Sequence, residues 1–206
     1  EPIGNETVNT RSLSLTAGGA DSFAAIGLGG RGSAGNKTGD ITVNADNISV
    51  TAGTGADAYA HIGVGGSDAG GTLNGNVAVT ARANVTLAGG AGLDAYAQIG
   101  SGGQNADGAI TGNVSVLADG NVTLTGGAGT HAYAQIGNAG ANVSGTTMTT
   151  GDVTVTGNNL IIANQAALLG SEAGARIGHG GHQADVNMVG EIIVTMDGTI
   201  TLDAAG

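Results

Sequence analysis

Three groups of residues in this chain could do chemistry, and all three recur at one spacing. Asp21, Asp57, Asp94, His131 and Glu172 stand 36, 37, 37 and 41 residues apart. Phe23, Tyr59, Tyr96, Tyr133 and Gly174 follow two positions later, and Ala25, His61, Gln98, Gln135 and Arg176 two positions after that. On an extended strand, side chains two apart share a face. The arrangement therefore predicts three neighbouring columns: carboxylates, rings and amides. Rings can stack on a sugar while polar groups meet its hydroxyls. Tyr59, Tyr96, Tyr133, Gln98, Gln135 and His61 are thus candidate ligand-binding residues. The opposing reading is that the rings are packing. A longer loop in each repeat carries Leu73, Ile110, Met148 and Val189, which could fold back over them.

Other chemistries are weaker. Gly89–Ala97 fits the calcium-binding nonapeptide pattern, and a calcium ion between stacked Asp57 and Asp94 follows from it. Calcium rolls, however, need consecutive nonapeptides, and here the phrase comes once per repeat. His179 and His182 could hold a metal but lack a third ligand. Outward Thr residues such as Thr86 and Thr123 suggest an ice-binding array, but Ile161 breaks the column. A polysaccharide lyase or hydrolase needs a clustered acid and base. A regular ladder of carboxylates with five Lys and Arg in total does not supply one, so no catalytic residue is expected.

The elements that position these columns come from a repeat. Ile-Gly recurs as Ile26-Gly27, Ile62-Gly63, Ile99-Gly100, Ile136-Gly137 and Ile177-Gly178. A fixed period of this size means a solenoid, each unit burying its core against its neighbours. Each unit reads as three short strands: one such as Asp40–Val43, one such as Asn47–Val50, and the phrase ending in Ile-Gly. Apolar and polar residues alternate within them. Ile41 and Val43, Val77 and Val79, and Val85 and Leu87 should point inward. The fold expected is all-β, a parallel β-helix of about 37 residues per coil. The chain then forms a single segment over residues 1–206, with five coils and part of a sixth, excised from something longer. At about 4.8 Å per coil its length is only about 25 Å. Asn47, Asn84, Asn121 and Asn159 fall in one turn column, where stacked amides can bond to one another.

Composition narrows the partners. There are 42 Gly and 1 Pro without a three-residue period, which rules out collagen. The net charge of −11 disfavours nucleic acid and anionic membrane surfaces. No apolar run is long enough to span a bilayer. Cysteine is absent, which suits either an exported protein or the cytosol.

Phrases such as Gly120–Gly129 and Ala95–Gly103, repeated with strands like Gly112–Val116, resemble the repeats of filamentous-haemagglutinin-like adhesins. The resemblance runs from about Ser12 to Leu202. It implies a right-handed helix in a Gram-negative exoprotein of the two-partner type. It further implies secretion, display on the bacterial cell surface, and a role in adhesion or biofilm. The partner implied is a host or matrix surface, or a polysaccharide.

Overall fold

Short alternating runs of β-branched residues bounded by Gly leave extended backbone as the low-energy choice. The computed structural model describes residues 3–164 and 173–203, and there these runs stack into a β-solenoid of about five turns. The first sheet stacks Glu6–Asn9, Ile41–Ala45, Val77–Ala81, Val114–Ala118, Val153–Gly157 and Ile192–Met196. The second stacks Ser12–Thr16, Asn47–Thr51, Val85–Ala88, Val122–Gly126, Leu160–Asn164 and Ile200–Asp203. The third stacks Phe23–Ile26, Tyr59–Ile62, Ala97–Ile99, Ala134–Ile136 and Ala175–Ile177. All pairings are parallel, with Ile41, Val77, Val114, Val153 and Ile192 in one register and Ile48, Val85, Val122, Leu160 and Ile200 in another.

The coil has four faces rather than the expected three. The segment read as a loop contributes a fourth parallel sheet: Lys37–Thr38, Leu73–Asn74, Ile110–Thr111, Ser144–Thr150 and Asp185–Val189. In the first three coils these strands are two residues long, too short for alternation to be seen in a sequence. Leu73 and Ile110 are buried as expected, but they join the central core instead of covering the rings. Met148 and Val189 do not share their column and are half exposed. Register explains this. The inward position lies four residues before the first-sheet strand, which selects Lys37, Leu73, Ile110 and Thr149, all buried, and Met188, exposed in the last coil. Two extra residues in the fourth coil are absorbed by a shift between Ser144 and Met148.

The central core is a column of Ile, Val, Leu and Ala from all four sheets. Burying one such side chain, for example Val85, stabilises by about 1.5–3 kcal/mol. At the first coil the core meets Lys37, whose ammonium donates to the carbonyls of Ser33, Gly35 and Gly70 at 2.7–3.0 Å. Burial pulls its pKa below the usual lysine value.

Turn ladders tie the coils together. The backbone amide of Asn121 donates to the Asn84 Oδ1 at 2.9 Å, and that of Thr199 to the Asn159 Oδ1 at 2.8 Å. A second ladder runs through Asp40, Asn76, Asn113 and Asp152, each side-chain oxygen accepting the backbone N–H of the next coil at 2.8–2.9 Å. Oxygen acceptors suffice for this bond, which is why Asp and Asn interchange in the column.

Candidate functional site along the third sheet

The strand from Tyr59 to Ile62 alternates as its sequence requires. Ala60 and Ile62 enter the central core, while Tyr59 and His61 take the opposite face. That face is not open to solvent. Tyr59, Tyr96 and Tyr133 form, with Ala141, a second and separate core. What closes it is the turn after Ile-Gly. The glycine at the close of that turn, Gly103, lies so near the Tyr96 hydroxyl that a β-carbon there would sit 2.5 Å from it and 2.7 Å from the Gly66 backbone. Gly66 and Gly140 repeat this contact against Tyr59 and Tyr133.

The rings run as a continuous stack. Phe23 to Tyr59, Tyr59 to Tyr96 and Tyr96 to Tyr133 have centroids 5.3, 4.9 and 4.9 Å apart, with planes within 10° of parallel. The spacing is the strand spacing, imposed by the ladder. Parallel rings touch at about 3.5 Å, so these are slid sideways, the offset geometry that ring quadrupoles favour. Gly174 has no ring to continue the stack, and the Arg176 guanidinium covers Tyr133 instead, 5.1 Å from its centroid. Phe23, at the other end, is half exposed. Burial pushes the Tyr59 phenol up to about 12, and Tyr96 and Tyr133 further. The Tyr133 hydroxyl donates to the Gln98 Oε1 at 3.3 Å, whereas those of Tyr59 and Tyr96 lie near the backbone amides of Ser67 and Gln104 outside good hydrogen-bond geometry.

The His61, Gln98, Gln135 column is buried and bonds to the chain itself. Gly63, Gly100, Gly137 and Gly178 bend the chain with φ between 139° and 158°. The column supplies donors to their carbonyls in the next coil. The His61 Nε2 donates to Gly100 O at 2.6 Å, the Gln98 Nε2 to Gly137 O at 3.0 Å and the Gln135 Nε2 to Gly178 O at 3.0 Å. All three side chains are fully buried. Since a carbonyl only accepts, Nε2 of His61 carries the proton, and its bare Nδ1 is buried without a partner. Burial lowers the His61 pKa to about 4, the Gly100 bond opposing that shift in part.

The carboxylate column is a turn, not part of the strand. Asp21, Asp57, Asp94 and His131 all have φ of 55–61°, a left-handed conformation that Asp and His tolerate better than most residues. Glu172 lies outside the described residues. Arg31 bonds to Asp21 and, at 3.1 Å, to Asp57, with Asp68 at 3.8 Å. The bond to Asp21 is the main reason its pKa is raised. Asp94 accepts from the Gln104 side chain and lies 2.7 Å from the His131 Nδ1. Asp57 and Asp94 therefore face a guanidinium, an amide and an imidazole. Among the described residues, no three His, Asp or Glu side chains converge as a metal site. The His179 Nε2 donates to Gly151 O at 2.7 Å, and its Nδ1 accepts from the Asn138 amide, while His182 stacks on His131.

Arg31 and Gln104 were not legible as roof residues. The signal was there: both stand five positions after the Ile of Ile-Gly, with Ser67, Ala141 and His182 in the same column. Their varied chemistry hid the repeat. The third sheet is thus built for cohesion: every polar group described on it bonds within the chain or lies under the turn. The chain matches no protein-family model, no curated protein and no solved structure. No helix among the described residues is long and apolar enough to cross a membrane.

Proposed function

We propose that the chain is a structural segment of a secreted, surface-displayed bacterial adhesin, serving as a rigid stalk in adhesion or biofilm formation. The observation that supports it is the continuity of the ladders. Four parallel sheets and two Asn/Asp columns link successive coils, and the ring stack and the amide column add to them over part of the length. A repeat array with nearest-neighbour bonding of this density resists bending while remaining extensible by adding coils. The resemblance to haemagglutinin-like repeats supplies the setting.

Antibodies raised against the chain test the reading. They should label intact cells of the producing bacterium, and deletion of the gene should reduce attachment to a host or matrix surface. Labelling that appears only after permeabilisation overturns surface display.

A further inference from the structure

The repeat changes length at one corner, and a groove opens there. Between the first and second sheets the first two described coils turn alike: Asn9 aligns with Asn44 and Ser12 with Asn47, so Arg11 and Asp46 are the single bend residues after Thr10 and Ala45. In the third coil Ala81 still aligns with Ala45, but Asn84 aligns with Asn47, so one residue more must fit. Arg82 and Ala83 take up the excess: Arg82 N donates to Ala45 O and Ala83 N to Asp46 O. The Arg82 side chain is thrown outward, 83% exposed. Beside this step lies an open groove of about 330 Å³, lined by Asn9, Thr10, Asn44, Asp46, Thr80 and Arg82 over an Ala45 floor.

This volume is at the lower end of the roughly 300–1,000 Å³ of small-molecule sites. Its walls hold unused hydrogen-bonding capacity. The Asn44 Nδ2 donates to the Asn9 Oδ1 at 2.8 Å, which fixes both amides and leaves the Asn9 Nδ2 donor and the Asn44 Oδ1 acceptor without a side-chain partner. Arg82 touches Asp46 only loosely, at 3.4 Å, so most of its forked donors remain unused. The Asp46 carboxylate and Thr80 hydroxyl add acceptors. Paired donors and acceptors a few ångströms apart over a small apolar floor match vicinal hydroxyls on a pyranose ring.

We propose that this corner groove binds a neutral sugar unit of a polysaccharide. The −11 net charge of the chain and Asp46 within the groove disfavour an acidic sugar. The site stands apart from the buried third-sheet column. It rests on corner geometry and not on the stalk reading, so loss of either leaves the other standing.

The test is titration of the isotope-labelled chain, watched by NMR at the side-chain amides of Asn9 and Asn44 and at the Arg82 Nε. The probes are glucose, galactose, mannose, N-acetylglucosamine and glucuronate, each to on the order of 10 mM, where weak sites saturate. At least one neutral sugar should move these signals. Asn44→Ala and Arg82→Ala should each weaken that binding tenfold or more, while Thr123→Ala on the second sheet leaves it unchanged. Both substituted side chains are on the surface, so amide spectra report that the fold persists. No shift with any neutral sugar, shifts that survive both substitutions, or a response to glucuronate alone would overturn the proposal.

Discussion

His61 donates its Nε2 proton to the carbonyl of Gly100 across one coil boundary, 2.6 Å away, while its Nδ1 is sealed from water without a partner. A ring in that position must stay neutral. The folded-state pKa is about 4 against 6.5 in the unfolded chain. Between these values the unfolded chain binds a proton that the folded chain refuses. Stability is therefore unaffected by this ring above pH 6.5 and falls as the pH drops toward 4, by about 3 kcal/mol in total. Glutamine makes the same bond in the next two coils. His61→Gln should keep the bond and remove this share of the acid sensitivity. Denaturant melts of both proteins at several pH values from 7.5 to 4 measure the difference. Equal slopes for the two would sink the idea.

The tyrosine stack should respond differently to the loss of a ring and the loss of a hydroxyl. Tyr96→Ala opens a cavity within a sealed layer and should cost on the order of 3–5 kcal/mol. Tyr96→Phe removes a buried hydroxyl that meets only the Gln104 backbone amide, and that outside good hydrogen-bond geometry, so its cost should be at most about 1 kcal/mol. Tyr133→Phe forfeits the bond to Gln98 and should cost about 1 kcal/mol. A glycan array on the Tyr59, Tyr96 and Tyr133 triple alanine variant completes the test. A native-like melt with loss of a clear glycan signal would restore these rings as a ligand platform.

Gly103→Ala should be strongly destabilising for steric reasons. The added methyl meets the Tyr96 hydroxyl at 2.5 Å and the Gly66 backbone at 2.7 Å. Tyr96→Phe relieves only the first contact. The double variant should therefore remain well below the single Tyr96→Phe variant in thermal midpoint. Full rescue would mean that the turn can move away from the coil before it.

Register on the second sheet has a direct assay. Val85 is fully buried and Thr86 partly exposed. Val85→Asp places an unpaired charge in the central core and should abolish cooperative unfolding, while Thr86→Asp should change stability by at most about 1 kcal/mol. The reverse order in circular-dichroism melts would contradict the assigned register.

The sequence by itself determined the period, the parallel stacking and the inward residues of three sheets. The reason is local: alternation on a strand has a period of two, and identical units can only stack in one register. It also placed Tyr59 and His61 correctly on the face away from Ala60 and Ile62. Only the tertiary structure decided what that face meets. Gly66, Gly103 and Gly140 lie seven residues beyond their rings, and their lack of a side chain lets the turn close over the phenols. A glycine reads in a sequence as freedom, not as a lid. Lys37 and the Asn9–Asn44–Arg82 groove were hidden for the same reason, since each depends on how neighbouring coils differ. Repetition makes the scaffold legible from one unit, whereas departures from repetition acquire meaning only against the coil beside them.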